Sequence, residues 1–356
     1  MKIALLRRSY ITTRDGVNSF IFSLADGLEN LGHSVHIMSW SYSGVEKRKD
    51  LSEWAKKTYN VKTDITAIKC RQSESTPWVR VGWDWVTKGS RMLKDLGVDV
   101  VIINGIVPLC FNGKKIAVNH GLFEMPSNRL RKIIAKRLYR KCVRICVSQK
   151  LAQEYFNFFD LDSIVIPLPL RLSMFRPSKF DERENAILHV GTRPVKNLNI
   201  SIEAVKILKE KGMHPKLIVV GSRNDHAENL LKRGRECGVD IEAKGTIPVA
   251  ELAGLYSKAK ALILPSQYEA LSYVIIESMA SGTPVVVSSQ ISEEEVQAGH
   301  NGFRIDTCEP AHYAKALAEL LENQDLWTRL SNNGILSVKR FDHVEVAKNY
   351  VRLITD

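Results

Sequence analysis

No stretch of this 356-residue sequence approaches the ~18 consecutive apolar residues that a membrane-crossing helix needs. The opening MKIALLRRSY offers a run of only four apolar side chains before Arg7 and Arg8, too few for a secretory signal. A soluble, cytoplasmic protein is the expectation. The six cysteines, at 70, 110, 142, 146, 237 and 308, form no C-x-x-C pair and no cysteine–histidine cluster at zinc spacing. They read as small buried hydrophobes in a reducing compartment. There is no low-complexity segment and no short repeat. At 44% hydrophobic and 25% charged, wholesale disorder is excluded.

Negative charge is scarce in the first half. Residues 1–166 hold 27 Lys and Arg against 15 Asp and Glu, a net of +12, whereas residues 167–356 hold 24 of each. Such asymmetry points the first half toward something anionic: phosphate, a membrane surface or nucleic acid.

The hydrophobic pattern then organises the chain. Ile3–Leu6 reads as a buried strand. Val17, Phe20, Ile21, Leu24, Leu28 and Leu31 recur at helical spacing before Gly32, and Val35–Met38 reads as the next strand. This βαβ pattern returns at Ala186–Val190, with a helix over Ile200, Ala204, Ile207 and Leu208, a stop at Gly212, and a strand at Leu217–Val220 closed by Gly221. Other strand-like runs are Val98–Ile103, Lys115–Val118, Ile145–Val147, Ala261–Leu264 and Val285–Val287. The class expected is α/β, with two doubly wound Rossmann-like domains facing a cleft. Prolines 167, 169 and 177 mark a stiff connection. The predicted division is an N-terminal domain over 1–166, a C-terminal domain over 167–341, and a final helix over 342–356 packing back toward the first.

Two segments carry candidate chemistry. In Gly191-Thr192-Arg193-Pro194-Val195-Lys196-Asn197, a strand opens onto a helix N-terminus, whose free N–H groups and dipole favour an anion. Arg193 and Lys196 make it a candidate diphosphate clamp, although two solvated cations in a turn would read the same way. It is neither a Walker loop nor G-x-G-x-x-G, which weakens P-loop and dinucleotide readings. In PSQYEALSYVIIESMASGTPVV, Glu269 and Glu277 stand eight residues apart. With Ala270–Ser272 as the start of a helix, that spacing is a little over two turns and puts both carboxylates on one side. Two surface glutamates are the alternative.

That second segment resembles the signature of the retaining glycosyltransferases of family 4 (glycosyl transferases group 1), whose E-x7-E motif Glu269 and Glu277 match, and whose fold is called GT-B. The resemblance extends over nearly the whole chain: Asp15-Gly16-Val17 and Leu31-Gly32-His33-Ser34-Val35, Asn119-His120-Gly121, Val147-Ser148, Ile166–Pro177, and Gly302-Phe303 after Asn301. It implies transfer of a hexose from a UDP- or GDP-sugar to a glycan or lipid-linked acceptor, with retention and without metal. Glu277 would bind the ribose hydroxyls and Glu269 the donor sugar. The amides around Ala270, Leu271 and Ser272 would approach sugar or phosphate. Arg193 and Lys196, beside Gly191, would neutralise the departing diphosphate. Gly16 would pass close to the phosphates, His120 would lie near the reacting sugar, Thr246 and Ile247 would contact the base, and Gly221 would belong to the same donor site. Two features depart from the family pattern: Thr192 separates Gly191 from Arg193, and Ser272 stands where glycine is usual. The absence of a D-x-D in the candidate loops agrees with no cofactor and no metal, and no Asp/Glu pair is placed as in a retaining hydrolase.

Residues 127–142, SNRLRKIIAKRLYRKC, hold seven Lys and Arg with Leu130, Ile133, Ile134 and Leu138 as an apolar stripe. A basic amphipathic helix of this kind lies on an anionic bilayer or packs its stripe into a core. The tryptophan-dense 77–85 is an acceptor platform or simple packing. Ser292 and Glu295 read as a capping box opening a helix. Rival functions are a nucleotide-sugar epimerase or trehalose-type synthase on the same fold, a non-catalytic glycan binder, and a basic nucleic-acid-binding protein. The last has no recognised motif, so no nucleic acid is expected.

Overall fold

A computed structural model of the chain describes residues 1–10, 15–42, 52–53, 55, 59, 64–70, 84–122, 125–126 and 128–355. The chain forms two units, residues 1–170 with 342–356, and residues 171–341.

The first unit is built on seven parallel strands: β1 (Lys2–Tyr10), β2 (Ser34–Tyr42), β3 (Asp64–Cys70), β4 (Val100–Asn104), β5 (Lys114–Asn119), β6 (Val143–Cys146) and β7 (Ile164–Val165). Their order is β3-β2-β1-β4-β5-β6-β7. Strands covered on both faces become continuous apolar runs, and Ile3–Leu6 and Val100–Ile103 are buried throughout. Helix α1 (Gly16–Asn30) starts where the Asp15 carboxylate accepts from the Asn18 N–H, an N-cap. It ends at Gly32, whose φ of +82° suits glycine. Helices α2 (Ser90–Asp95), α3 (Arg129–Tyr139) and α4 (Gln149–Phe159) follow. Trp85 is fully buried in a five-residue π-helical segment before α2, so it packs as core. Residues 77–83 lie outside the described residues.

The C-terminal helix (His343–Thr355) belongs to this first unit and packs on α1. Gly27 of α1 faces the His343 carbonyl and Ala347 with no room for a Cβ. His343 Nε2 lies 3.0 Å from the Asp26 carboxylate. At the far end, the Lys114 ammonium donates to the Leu353 and Ile354 carbonyls.

The second unit has six parallel strands: β8 (Glu184–Val190), β9 (Lys216–Val220), β10 (Ile241–Gly245), β11 (Ala259–Leu264), β12 (Val285–Ser288) and β13 (Gly302–Ile305), in the order β10-β9-β8-β11-β12-β13. Helices α5 (Leu198–Glu210), α6 (Asp225–Glu236), α7 (Val249–Lys258), α8 (Tyr273–Ala280), α9 (Pro310–Glu322) and α10 (Gln324–Ser337) flank it. Ile187, Leu217, Val219, Ile263 and Val286 from the sheet meet Leu208, Leu317 and Trp327 from the helices in one core.

Each sheet is doubly wound, as the pattern predicts. Four strands, β3, β7, β10 and β13, go beyond those read from the sequence; β7 has two residues and β10 is rich in polar residues. The division falls at 170/171 rather than 166/167. Leu168 and Leu170 are buried, and Leu170 pairs with Asp342, which ties the proline-containing segment to the first unit. Cys142 and Cys146 are buried, but Cys110, Cys237 and Cys308 are exposed, against the expectation of buried thiols.

Candidate active site

In doubly wound sheets, ligand crevices form beyond the carboxyl ends of strands where the winding reverses. In the second unit that point lies between β8 and β11. Both loops singled out in the sequence leave from it.

After β8 the chain turns at Gly191, with φ +110°. Its N–H donates to the Val220 carbonyl at 2.7 Å. A Cβ here would lie 3.0 Å from Lys196 Cγ, so the glycine makes room for the lysine stem. Lys196 is buried and its ammonium donates to Oε1 of Glu269. His189 braces the turn: its ring bridges Ser201 Oγ and the Gly191 carbonyl, both at 2.8 Å. Burial lowers this histidine to about 4, so the ring is neutral, with Nε2–H donating to the carbonyl.

The loop after β11 is stitched to the loop after β8. The Gln267 N–H donates to the Val195 carbonyl at 2.8 Å, and Asn197 Nδ2 donates to the Pro265 carbonyl at 2.9 Å. The neighbouring strand ends join them. Thr192 Oγ1 donates to the Ser222 carbonyl at 2.6 Å, Gly221 N–H donates to the Gly245 carbonyl, and a Cβ on Gly221 would meet Thr192 Cγ2 at 2.7 Å. Gly191, Lys196, Gly221, Gly245 and Glu269 therefore form one cluster. Arg193 and Thr246 are exposed, and Ile247 is half-buried.

Two expectations need correction. Ala270–Ser272 do not begin a helix: α8 starts at Tyr273, and Glu269 sits in the preceding loop, drawn to Lys196. The two-turn argument for Glu269 and Glu277 thus fails, although Glu277 is on α8. The Ser272 N–H donates to Glu295 Oε1 at 2.7 Å. Ser292–Glu295 is a turn and not a helix start; Ser292 Oγ accepts from the Glu294 N–H.

Glu277 is buried, and Tyr256 O–H donates to its Oε2 at 3.0 Å. Burial pushes this carboxyl up to about 8, with the Tyr256 bond opposing. Tyr256 is itself fixed by Arg183, which donates to the carbonyls of Tyr256 (3.0 Å), Ala259 (2.7 Å) and Ser281 (2.7 Å) and to Thr283 Oγ1 (2.6 Å). Sequence reasoning found none of Arg183, His189, Tyr256 or the role of Glu295. Their partners lie up to a hundred positions away.

The first unit holds Gly16 and His120. Gly16 opens α1 beside Asp15, whose carboxylate pairs with Arg7 at 2.7 Å. His120 follows β5; its Nε2 donates to Asn104 Oδ1 at 2.8 Å, and Asn104 Nδ2 donates to the Leu6 carbonyl. Burial first, and the Arg7 charge second, lower His120 to about 3. The ring is neutral, and Phe20 makes a T-shaped contact with it, the centroids 4.6 Å apart.

Among the described residues, no three His, Cys, Asp or Glu side chains gather as a metal would require. No described helix is long and apolar enough to cross a membrane. Of the apolar stripe on α3, Ile134 and Leu138 are half-buried and the other two residues are exposed. Ala135 and Tyr139 are its buried residues, whereas Leu130 is 68% and Ile133 44% exposed.

Comparison with known proteins divides along the same line. Residues 14–172 match the family model "Glycosyltransferase Family 4" and residues 171–337 match "Glycosyl transferases group 1". An uncharacterised glycosyltransferase of Haemophilus influenzae is 24% identical over 92% of each chain. The O-antigen chain mannosyltransferase of Salmonella typhimurium is 33% identical over 47% of this chain and 49% of its own. Among solved structures, an Anabaena protein in complex with UDP and glucose superposes with a TM-score of 0.77 at 16% identity, over 100% of this chain and 99% of its own.

Proposed function

This chain belongs to the group 1 glycosyltransferases, on a GT-B fold, and from that premise we propose that it moves a hexose from a UDP- or GDP-sugar to a glycan or lipid-linked acceptor. The reading includes retention at the anomeric carbon and no bound metal. The observation that carries it is the buried Lys196 ammonium at the switch point of the second sheet, held by Glu269. A buried cation outside strand ends is suited to a diphosphate. The UDP and glucose of the Anabaena structure and the mannosyltransferase name of the Salmonella relative support a nucleotide-hexose donor.

In this reading the bond from the anomeric carbon to the diphosphate oxygen breaks, and its electron pair leaves with the phosphate. The acceptor oxygen bonds to the same face, and its proton passes to the departing phosphate. Lys196, joined by the exposed Arg193, meets the charge that grows on the leaving group, which is stabilisation specific to the transition state. Glu269, released from Lys196 as the diphosphate arrives, accepts hydrogen bonds from sugar hydroxyls. Glu277 holds the ribose, with Tyr256 fixing its orientation. The base rests on Thr246 and Ile247. His120, held neutral by Asn104 and burial, is the sugar partner we assign to the first unit, and Gly16 lets the α1 N-terminus meet the phosphates.

The acceptor reading rests on α3. Its Leu130 and Ile133 stand in solvent among Arg129, Arg131, Lys132, Lys136 and Arg137, the composition that docks on an anionic bilayer. Sedimentation with phosphatidylglycerol vesicles, lost in L130S/I133S, would support it; equal binding to neutral vesicles would sink it.

The donor reading is tested by melting the purified protein with UDP, GDP, ADP and their sugars in the presence of a chelator. A ligand that binds only the folded state raises the melting temperature. We expect one nucleoside diphosphate series to do so, and Glu277→Ala to abolish the shift. No shift from any of them, or an unchanged shift in Glu277→Ala, overturns the assignment.

A further inference from the structure

Helix α8 receives its N-terminal cap from an unusual place. Its N-cap residue, Ser272, makes no side-chain cap bond. The backbone N–H of an N-cap is usually taken by a Glu or Gln at the third helical position, but that position is Ile275. The Ser272 N–H donates instead to Glu295 Oε1, 23 residues along, at 2.7 Å. Both residues are more than nine-tenths buried. The second oxygen, Glu295 Oε2, is buried without a partner.

The turn that carries Glu295 is built to present it. The Glu295 N–H donates to the Ser292 carbonyl, its own carbonyl accepts from Asn301 Nδ2 at 3.2 Å, and Asn301 Oδ1 accepts from the Gln297 N–H at 2.7 Å. The Glu295 carboxyl also feels the charges of Glu269, Lys196 and Glu294. It therefore lies within electrostatic reach of the residues to which the donor sugar and diphosphate are assigned.

We propose that Glu295 is a positioning residue that occupies the N-cap N–H of α8 from within the protein and so disfavours a charged sugar beside Glu269. The inference rests on the donor site proposed above. A helix N-terminus is where the carboxylate of an acidic sugar would dock. With the Ser272 N–H already occupied and Glu269 alongside, a sugar carboxylate loses that donor and meets a like charge. Neutral sugar hydroxyls have Glu269 to bond to. Burial pushes the Glu295 carboxyl up to about 8, so near neutral pH it is largely protonated. Glutamine, with an acceptor oxygen at the same reach, then reproduces the resting contact; aspartate, about 1.5 Å shorter, does not.

The test is calorimetric binding to the full chain of two donor pairs, UDP-glucose with UDP-glucuronate and GDP-mannose with GDP-mannuronate. Wild type and E295Q are expected to bind the hexose at least tenfold more tightly than its hexuronate in the pair that binds. E295A and E295D are expected to narrow that preference to under threefold. A merely charged residue would give the reverse, with E295D selective and E295Q not. That result, or the same preference in all four proteins, overturns the proposal. If E295A does not fold, the E295Q and E295D comparison decides alone. Failure of the wild type to bind any of the four donors overturns the donor-site reading itself, a result distinct from binding without selectivity.

Discussion

Lys196 and Glu269, 73 positions apart, meet as a buried ion pair between the loops that follow β8 and β11. Removing a charge from water is costly, so each partner is tolerable only because the other is present. The pair therefore keeps a cation at the switch point, neutralised by a carboxylate.

Single variants should expose that dependence. Lys196→Met or Glu269→Gln leaves the other charge buried, a loss of about 3–5 kcal/mol. In a unit of this size that lowers the melting temperature by roughly 2–4 °C per kcal/mol. The double variant should regain most of that stability yet remain at least about 100-fold slower in transfer. Calorimetry and a radiolabelled transfer assay read the two effects. A double variant that melts no higher than the worse single would sink the pairing.

The buried carboxyls give a pH dependence of definite sign. Glu277 and Glu295 have folded pKa values of about 8, against 4.5 in the unfolded chain. Folding retains their protons, so their contribution is full below pH 4.5 and is lost as pH rises through 8. His120 and His189, at about 3 and 4, act oppositely: their contribution is full above 6.5 and is lost as pH falls toward those values. Between pH 6.5 and 8 the carboxyls act alone. Stability should fall there by up to about 1.4 kcal/mol per pH unit for each. Urea unfolding across that range measures the slope, which Glu277→Gln should reduce; an identical slope would contradict the assignment.

Gly191→Ala should harm transfer more than folding. The residue would keep a φ of +110° and press its Cβ on the Lys196 stem. Such backbone strain costs on the order of 1–3 kcal/mol, and the displaced ammonium would lose its aim. We expect the fold to persist by circular dichroism with nucleotide affinity down at least about tenfold. Unchanged affinity would remove Lys196 from the diphosphate site.

His120 should stay neutral through the working range. Nitrogen-15 spectra of the imidazoles are expected to show no protonation of this ring above pH 5, and Asn104→Ala should disturb its resonances because the Nε2–H bond is lost. A titration near pH 6.5 would remove the buried, neutral role.

The βαβ starts at Ile3 and Ala186 were legible because buried parallel strands need unbroken apolar runs. Glu269 and Glu277 stood out through the resemblance of their segment to a family signature, and the Gly191 loop by its position after a strand. What stayed hidden was distant pairing. The sequence near Ser272 holds no sign of Glu295, and a local capping pattern at Ser292 suggested a nearer partner for that glutamate. The helix begins at Tyr273 rather than at Ala270, and the bond from Lys196 to Glu269 is invisible in local periodicity. The stripe on α3 was visible, but periodicity alone did not tell which of its residues pack inward. Arg183 had no signature, since it satisfies backbone carbonyls that any sequence would provide.

The final helix has a consequence for synthesis. Leu170 pairs with Asp342, and the His343 N–H donates to the Leu170 carbonyl at 3.0 Å, so the whole second unit is threaded between two neighbouring residues of the first. The helix that covers Gly27 and Phe20 of α1 is made only after residues 171–341. The first unit to begin therefore cannot be completed until the whole of the second has been synthesised.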